Sequence, residues 1–154
     1  MINYSKNNNN TLFNSLKNEN LTSFENIQNY IPIYNKFFSL NEQNFNCINL
    51  NQKDTILEIN KKETYQIFNC TVHKNNKQKL NLFFKFSPLL DPVKYLTGKY
   101  KDTNISSLPK LNDNDCHNKL LDTNNCAYID SFFSYLTSIL LNDYKFVNGI
   151  NFFG

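Results

Sequence analysis

The chain has 154 residues, enough for one ordinary domain, and 40% of them are hydrophobic, with 14 Phe and 9 Tyr. This aromatic content excludes a wholly disordered chain, and the lack of any run of about 20 apolar residues argues against a membrane span. All 16 basic residues are Lys, and a net charge of +3 without arginine is too small to indicate a nucleic-acid partner.

The first 54 residues divide into two predicted segments. Residues 1–20 are rich in Asn, carry few apolar side chains and show no period, so we predict a disordered tail. Residues 21–54 are predicted to be a helical extension, because apolar side chains recur at intervals of three and four residues between Leu21 and Leu40. Pro32 interrupts this pattern, so two short helices are expected rather than one rod.

Residues 55–86 change to the alternation that is typical of strands. Three β-prone runs, Thr55–Ile59, Thr64–Val72 and Leu80–Phe86, are joined by short polar connections, which predicts an antiparallel meander. In the third run, even-numbered and odd-numbered residues point to opposite faces. Lys85 is therefore predicted to be a charged residue on a strand with apolar neighbours.

A short helix is predicted after these strands, at Asp91–Leu96. Asp91 is a suitable N-cap, Pro92 suits the first helical position, and Gly98 is expected to end the helix. Residues 99–124 are polar and are predicted to form a long loop insertion.

A long amphipathic helix is predicted at Ala127–Leu141, where apolar side chains form one stripe and either Asn124 or Asn125 can cap the start. The run Phe146–Gly154 is predicted to be a strand, and because the sequence stops inside it we expect a fragment of a longer protein. The predicted fold is therefore α+β, with a small antiparallel sheet and one long packed helix.

The order of the elements, with three antiparallel strands, a Lys on the third, a long helix and a fourth strand, resembles the small lobe of the protein-kinase fold. The resemblance covers residues 55–154, and Leu82-Phe83-Phe84-Lys85 stands where kinases carry V-A-I-K. The segments Phe86–Pro92, Gly98–Tyr100 and Tyr128–Phe133 are similar to kinase-like proteins of large cytoplasmic DNA viruses of protists.

This resemblance implies a nucleotide site in which Lys85 binds the phosphates of Mg-ATP and Asp130 takes the place of the helix Glu. The site would need the missing C-terminal lobe, so ATP and Mg are expected only in a full-length protein. The chain also departs from the family: no Gly precedes Gly98, Phe83 replaces a small Ala, and neither H-R-D nor D-F-G occurs. We predict no catalytic residue and no phosphate transfer by this chain alone, with a serine/threonine kinase-like enzyme or a pseudokinase as the complete protein.

The alternative hypothesis is a non-catalytic structural or protein-interaction module of a large DNA virus, which Phe83 and the missing glycine-rich loop favour. Four Cys without C-x-x-C spacing or a secretory leader favour reduced thiols and a cytoplasmic location, in the host cytoplasm or the virion. Cys116, His117 and Cys126 have no fourth ligand nearby in sequence, so no metal site is predicted. The expected partners are the missing lobe and a protein, but neither nucleic acid nor membrane.

Overall fold

The computed structural model describes residues 2, 4–18, 27–50, 54–74, 76–100, 104–112 and 115–153. In this part of the chain the strands are β1 (Tyr4–Lys6), β2 (Ile48–Leu50), β3 (Thr55–Lys62), β4 (Ile67–Lys74) and β5 (Asn76–Phe83). The α-helices are α1 (Asn10–Asn18), α2 (Pro92–Leu96), α3 (Asn118–Leu121) and α4 (Cys126–Tyr144). The predicted α+β fold, with small antiparallel sheets and one long helix, is confirmed.

The chain divides into two compact units. The first unit comprises Met1–Ile27, Cys47–Phe86 and Ser134–Gly154, and the second comprises Gln28–Asn46 and Ser87–Phe133. The range 55–154, predicted to be a single lobe, therefore contributes to both units.

The larger sheet of the first unit is the predicted antiparallel meander, in the order β3-β4-β5. One face carries the core of this unit, formed by five buried side chains: Ile59, Phe68, Cys70, Val72 and Leu82. Leu12, Leu16, Phe84 and Phe153 pack against this core. The strand register explains why these side chains lie together. Cys70 lies opposite both Ile59 and Leu80, so alternate residues of the three strands point to the same covered face.

The predicted disordered tail of residues 1–20 is replaced by folded structure within its described part. Tyr4–Lys6 pairs with Ile48–Leu50 as a second, two-stranded sheet, and Asn10–Asn18 is a helix. Leu12 and Leu16 stand four residues apart, so they share one helix face, and they pack against the sheet core. The apolar content of residues 1–20 does not predict strand β1, because its partner strand β2 is more than 40 residues away in sequence.

The predicted helical extension of residues 21–54 is also corrected. Residues 21–26 and 51–53 lie outside the described part, and within the remainder a 3-10 helix at Pro32–Lys36 and strand β2 take its place. Ile31 is extended, with φ −113° and ψ 106°, because a proline ring disfavours the helical conformation in the preceding residue. Pro32 therefore begins a short helix instead of interrupting a long one.

Helix α4 confirms the predicted long helix and extends it to Cys126–Tyr144. The predicted strand at Phe146–Gly154 is wrong for the described residues 146–153, which form a turn followed by irregular chain. This segment packs against α4: the Phe152 backbone N–H donates to Ser138 Oγ at 3.1 Å, and the Phe152 ring contacts Tyr135 edge to face. One backbone hydrogen bond reaches the sheet, from the Ile56 N–H to the Phe153 carbonyl at 3.4 Å.

Candidate functional site

Lys85, the predicted phosphate ligand, lies two residues beyond the end of β5. The Phe84 N–H donates to the Gln66 carbonyl at 2.7 Å, which continues the pairing with β4 by one residue. Lys85 follows and is exposed. Phe83 is exposed on the sheet face opposite the core, as the predicted alternation requires.

Asp130, the predicted partner of Lys85, is the fifth residue of α4 and is half-buried. Asp130 belongs to the second unit, whereas Lys85 belongs to the first. The ion pair between them therefore stays a prediction.

Cys70 and His117 have structural roles, in the sheet core and at a helix start. Among the described residues, no group of three or more His, Cys, Asp or Glu side chains could hold a metal ion. Burial raises the pKa of Cys70 to about 11, so this core thiol stays protonated and unreactive at neutral pH. His117 caps α3, where its Nδ1 accepts from the Lys119 N–H at 2.9 Å, and its ring meets Tyr100 edge to face.

An apolar groove of about 440 Å³ lies in the second unit. Residues from four segments line it: Pro88, Leu89 and Leu90 before α2, Pro92, Tyr95 and Leu96 of α2, Ile105 and Leu108 of the long loop, and Leu120 of α3. None of these residues is charged, and the Tyr95 hydroxyl is their one polar side-chain group. The described lining of the groove thus suits apolar groups and includes no nucleophile, base or phosphate ligand.

Helix α2 forms as the sequence predicts. The Asp91 side chain accepts from the N–H groups of Val93 and Lys94 at 2.9 and 3.2 Å, Pro92 stands in the first turn, and Gly98 follows with φ 70°. The helix nevertheless buries none of its residues: Val93, Tyr95 and Leu96 are 68%, 57% and 82% exposed. Its apolar side chains therefore form an exposed apolar surface beside the groove.

Leu120, the buried residue of the groove lining, is held by a chain of two hydrogen bonds. The Tyr128 hydroxyl donates to the Leu120 carbonyl at 2.9 Å, and Gln28 Nε2 donates to the same hydroxyl at 2.9 Å. Burial raises the pKa of Tyr128 to about 12, so this hydroxyl remains a donor at neutral pH. These contacts make Tyr128 a positioning residue for the groove.

Asn125 connects three parts of the second unit. Its Oδ1 accepts from the Ala127 N–H at 3.0 Å and caps α4, which decides between the two candidate caps. Its Nδ2 donates to the carbonyls of Leu89 and Lys119, both at 2.8 Å. Only 1% of Asn125 is exposed. The three hydrogen bonds therefore satisfy both amide protons and the oxygen of a buried side chain, which would be costly to leave unpaired. Sequence reasoning identified the cap but not the two bonds that hold the groove wall.

Comparison of this chain with family models, with curated proteins and with solved structures finds no match. In the described part of the chain, no helix has both the length and the apolar character that crossing a bilayer requires.

Proposed function

We propose that the protein is a non-catalytic protein-interaction module, and that the apolar groove beside α2 binds apolar side chains of a protein partner. The observation that carries this proposal is the exposure of Val93, Tyr95 and Leu96 at a groove whose described lining residues carry no charge. Soluble domains rarely leave adjoining apolar side chains in water unless they meet a partner. Cys70 and Cys126 carry free thiols, which supports the cytoplasm as the compartment.

The occupant that we propose is an amphipathic segment with apolar anchors and neighbouring acidic residues. A small polar ligand would need several convergent polar groups, which this lining does not offer. Lys94 and Lys119 are exposed and adjoin lining residues in sequence, whereas the carboxylate of Asp91 is engaged as a helix cap. The Asp91 carboxylate keeps its negative charge, so the charged residues next in sequence to the described lining are two positive and one negative, and this net positive charge favours an acidic flank.

Peptides selected from a displayed random library against the intact protein would test this proposal. We expect the selected peptides to combine apolar anchors with acidic residues, and to bind the Leu96→Asp variant at least tenfold more weakly. The matched control is Val147→Asp, because Val147 is 85% exposed and lies in the other unit. Failure to select a binder, or equal affinity for the parent and Leu96→Asp, would refute the groove as the site.

A second candidate is the nucleotide-binding small lobe implied by the kinase resemblance. The order of β3, β4, β5 and α4 along the chain favours it. In protein that includes the predicted C-terminal lobe, Mg-ATP should raise the melting temperature, and Lys85→Met should remove the shift while Lys79→Met keeps it. If Mg-ATP leaves the melting temperature of the unsubstituted protein unchanged, nucleotide binding is contradicted and the interaction proposal is unaffected.

A further inference from the structure

Strand β5 is one edge of the three-stranded sheet, and β3, which receives a single backbone contact from Phe153, is the other. Its pairing with β4 runs without a register shift from Ile67 opposite Phe83 to Lys74 opposite Asn76, whereas the β3-β4 pairing is shifted twice. No other strand in the described part of the chain pairs with β5. A long, regular strand with one side unpaired can accept a further strand.

The hydrogen-bond alternation shows which backbone groups face outward. The Phe84 N–H donates to the Gln66 carbonyl, and in an antiparallel ladder the residues that bond to the neighbouring strand alternate. Even-numbered residues of β5 therefore bond to β4. The backbone N–H and C=O groups of Lys77, Lys79, Asn81 and Phe83 point away from β4, and no backbone partner for them lies among the residues that the structure describes.

The side chains of these same four residues are exposed on the sheet face opposite the core. Lys77 and Lys79 form no ion pair with any residue that the structure describes. Residues 76–85 include three Lys and no acidic residue. An incoming strand thus meets two positive charges at alternate positions and, at the far end, the ring of Phe83.

We propose that the β5 edge binds an extended acidic segment of a partner protein as a fourth strand. Acidic side chains of that segment lie opposite Lys77 and Lys79, and an apolar side chain lies beside Phe83. A second copy of this chain is disfavoured as the occupant, because pairing two β5 edges would double the lysines along the joint without an acidic residue to offset them. The site belongs to the first unit and does not depend on the groove proposal.

A seven-residue synthetic peptide tests the charge requirement on the intact protein. The peptide carries an aromatic residue opposite Phe83, glutamates opposite Lys79 and Lys77, and β-branched residues between. We expect binding by fluorescence anisotropy, about tenfold weaker for the double variant Lys77→Gln and Lys79→Gln and weaker with rising salt. The matched control removes two exposed lysines elsewhere, with Lys6→Gln and Lys17→Gln, and should bind as the parent does.

Two further experiments test whether binding requires the outward backbone groups of β5. Asn81→Pro removes an outward N–H and leaves the backbone pairing with β4 intact, at the cost of the exposed side-chain bond from Asn69 Nδ2 to Asn81 Oδ1. It should abolish binding while the circular dichroism spectrum is unchanged, and Asn81→Ala, which removes the same side-chain bond but keeps the N–H, should bind as the parent does. A peptide that is N-methylated on the N–H facing β5 should also fail, and it leaves the protein unaltered if Asn81→Pro does not fold. Equal binding of the methylated peptide, of the lysine-substituted variants or of a single-stranded oligonucleotide with the same charge would overturn the proposal.

Discussion

Asn125 offers the most direct test of how the second unit is held together. Asn125→Ala removes the cap of α4, which costs about 1 kcal/mol, and two hydrogen bonds to the carbonyls of Leu89 and Lys119, at about 1 kcal/mol each. The expected loss in free energy of unfolding is therefore about 3 kcal/mol, a large part of the stability of an ordinary domain. Urea denaturation of parent and variant measures this difference.

The matched control is Asn124→Ala, one residue earlier, where an exposed side chain accepts from Lys36 Nζ. We expect it to cost less than about 0.5 kcal/mol, as most surface changes do. Asn125→Asp separates the cap from the bridging role, because a carboxylate still accepts from the Ala127 N–H but donates nothing to the two carbonyls. A loss below about 1 kcal/mol for Asn125→Ala, or a fully stable Asn125→Asp, would refute this reasoning.

Three further predictions concern the first unit. Burial raises the pKa of the Cys70 thiol from its ordinary value of 9.0 to about 11, so unfolding releases a proton above pH 9 and stability should fall by about 2 kcal/mol by pH 11; the Cys70→Val variant should lack this loss in urea titrations at each pH. A Cβ added at Gly149 would lie 2.5 Å from the Thr137 carbonyl oxygen, so Gly149→Ala should cost about 2 kcal/mol in the same assay, and a neutral result would place that segment elsewhere. Ser138→Ala removes the acceptor of the Phe152 N–H, so hydrogen exchange at that amide should quicken while the amides of β4 stay protected; unchanged exchange would contradict the observed contact.

The elements that the sequence predicted correctly are those whose signal is local. The meander follows from alternation and short polar connections, and α2 follows from a cap and a proline within three residues of each other. The length of α4 follows from an uninterrupted apolar stripe. In each case the residues that decide the structure are neighbours in sequence.

The elements that the sequence missed depend on distant partners. Strand β1 exists because Tyr4 lies opposite Leu50, and a three-residue polar strand carries no signal of its own. Residues 146–153 have the composition of a strand, but Gly149 and Phe152 pack against α4 instead of pairing with a sheet. The groove was also missed, because the residues that line it come from segments up to 32 positions apart in sequence, from Pro88 to Leu120. The one local indication of the groove in the sequence was helix α2, whose five residues include more apolar side chains than a single face can bury.

Phe83 separates the two functional hypotheses more sharply than Lys85 does. In the kinase-like hypothesis a benzyl group at this position would fill the space for adenine, so the residue opposes the function that the neighbouring Lys85 implies. In the interaction hypothesis the same ring needs to be exposed at the sheet edge, and it is exposed there. Its backbone groups face away from β4 together with those of Lys77, Lys79 and Asn81, so this strand presents the ring and the two charges on one face of the sheet and the outward backbone groups along the adjoining edge. An extended acidic segment ending in an apolar residue would engage all three features at once, whereas a nucleotide offers a base to the ring and phosphates to the lysines but no peptide backbone to pair with the strand edge.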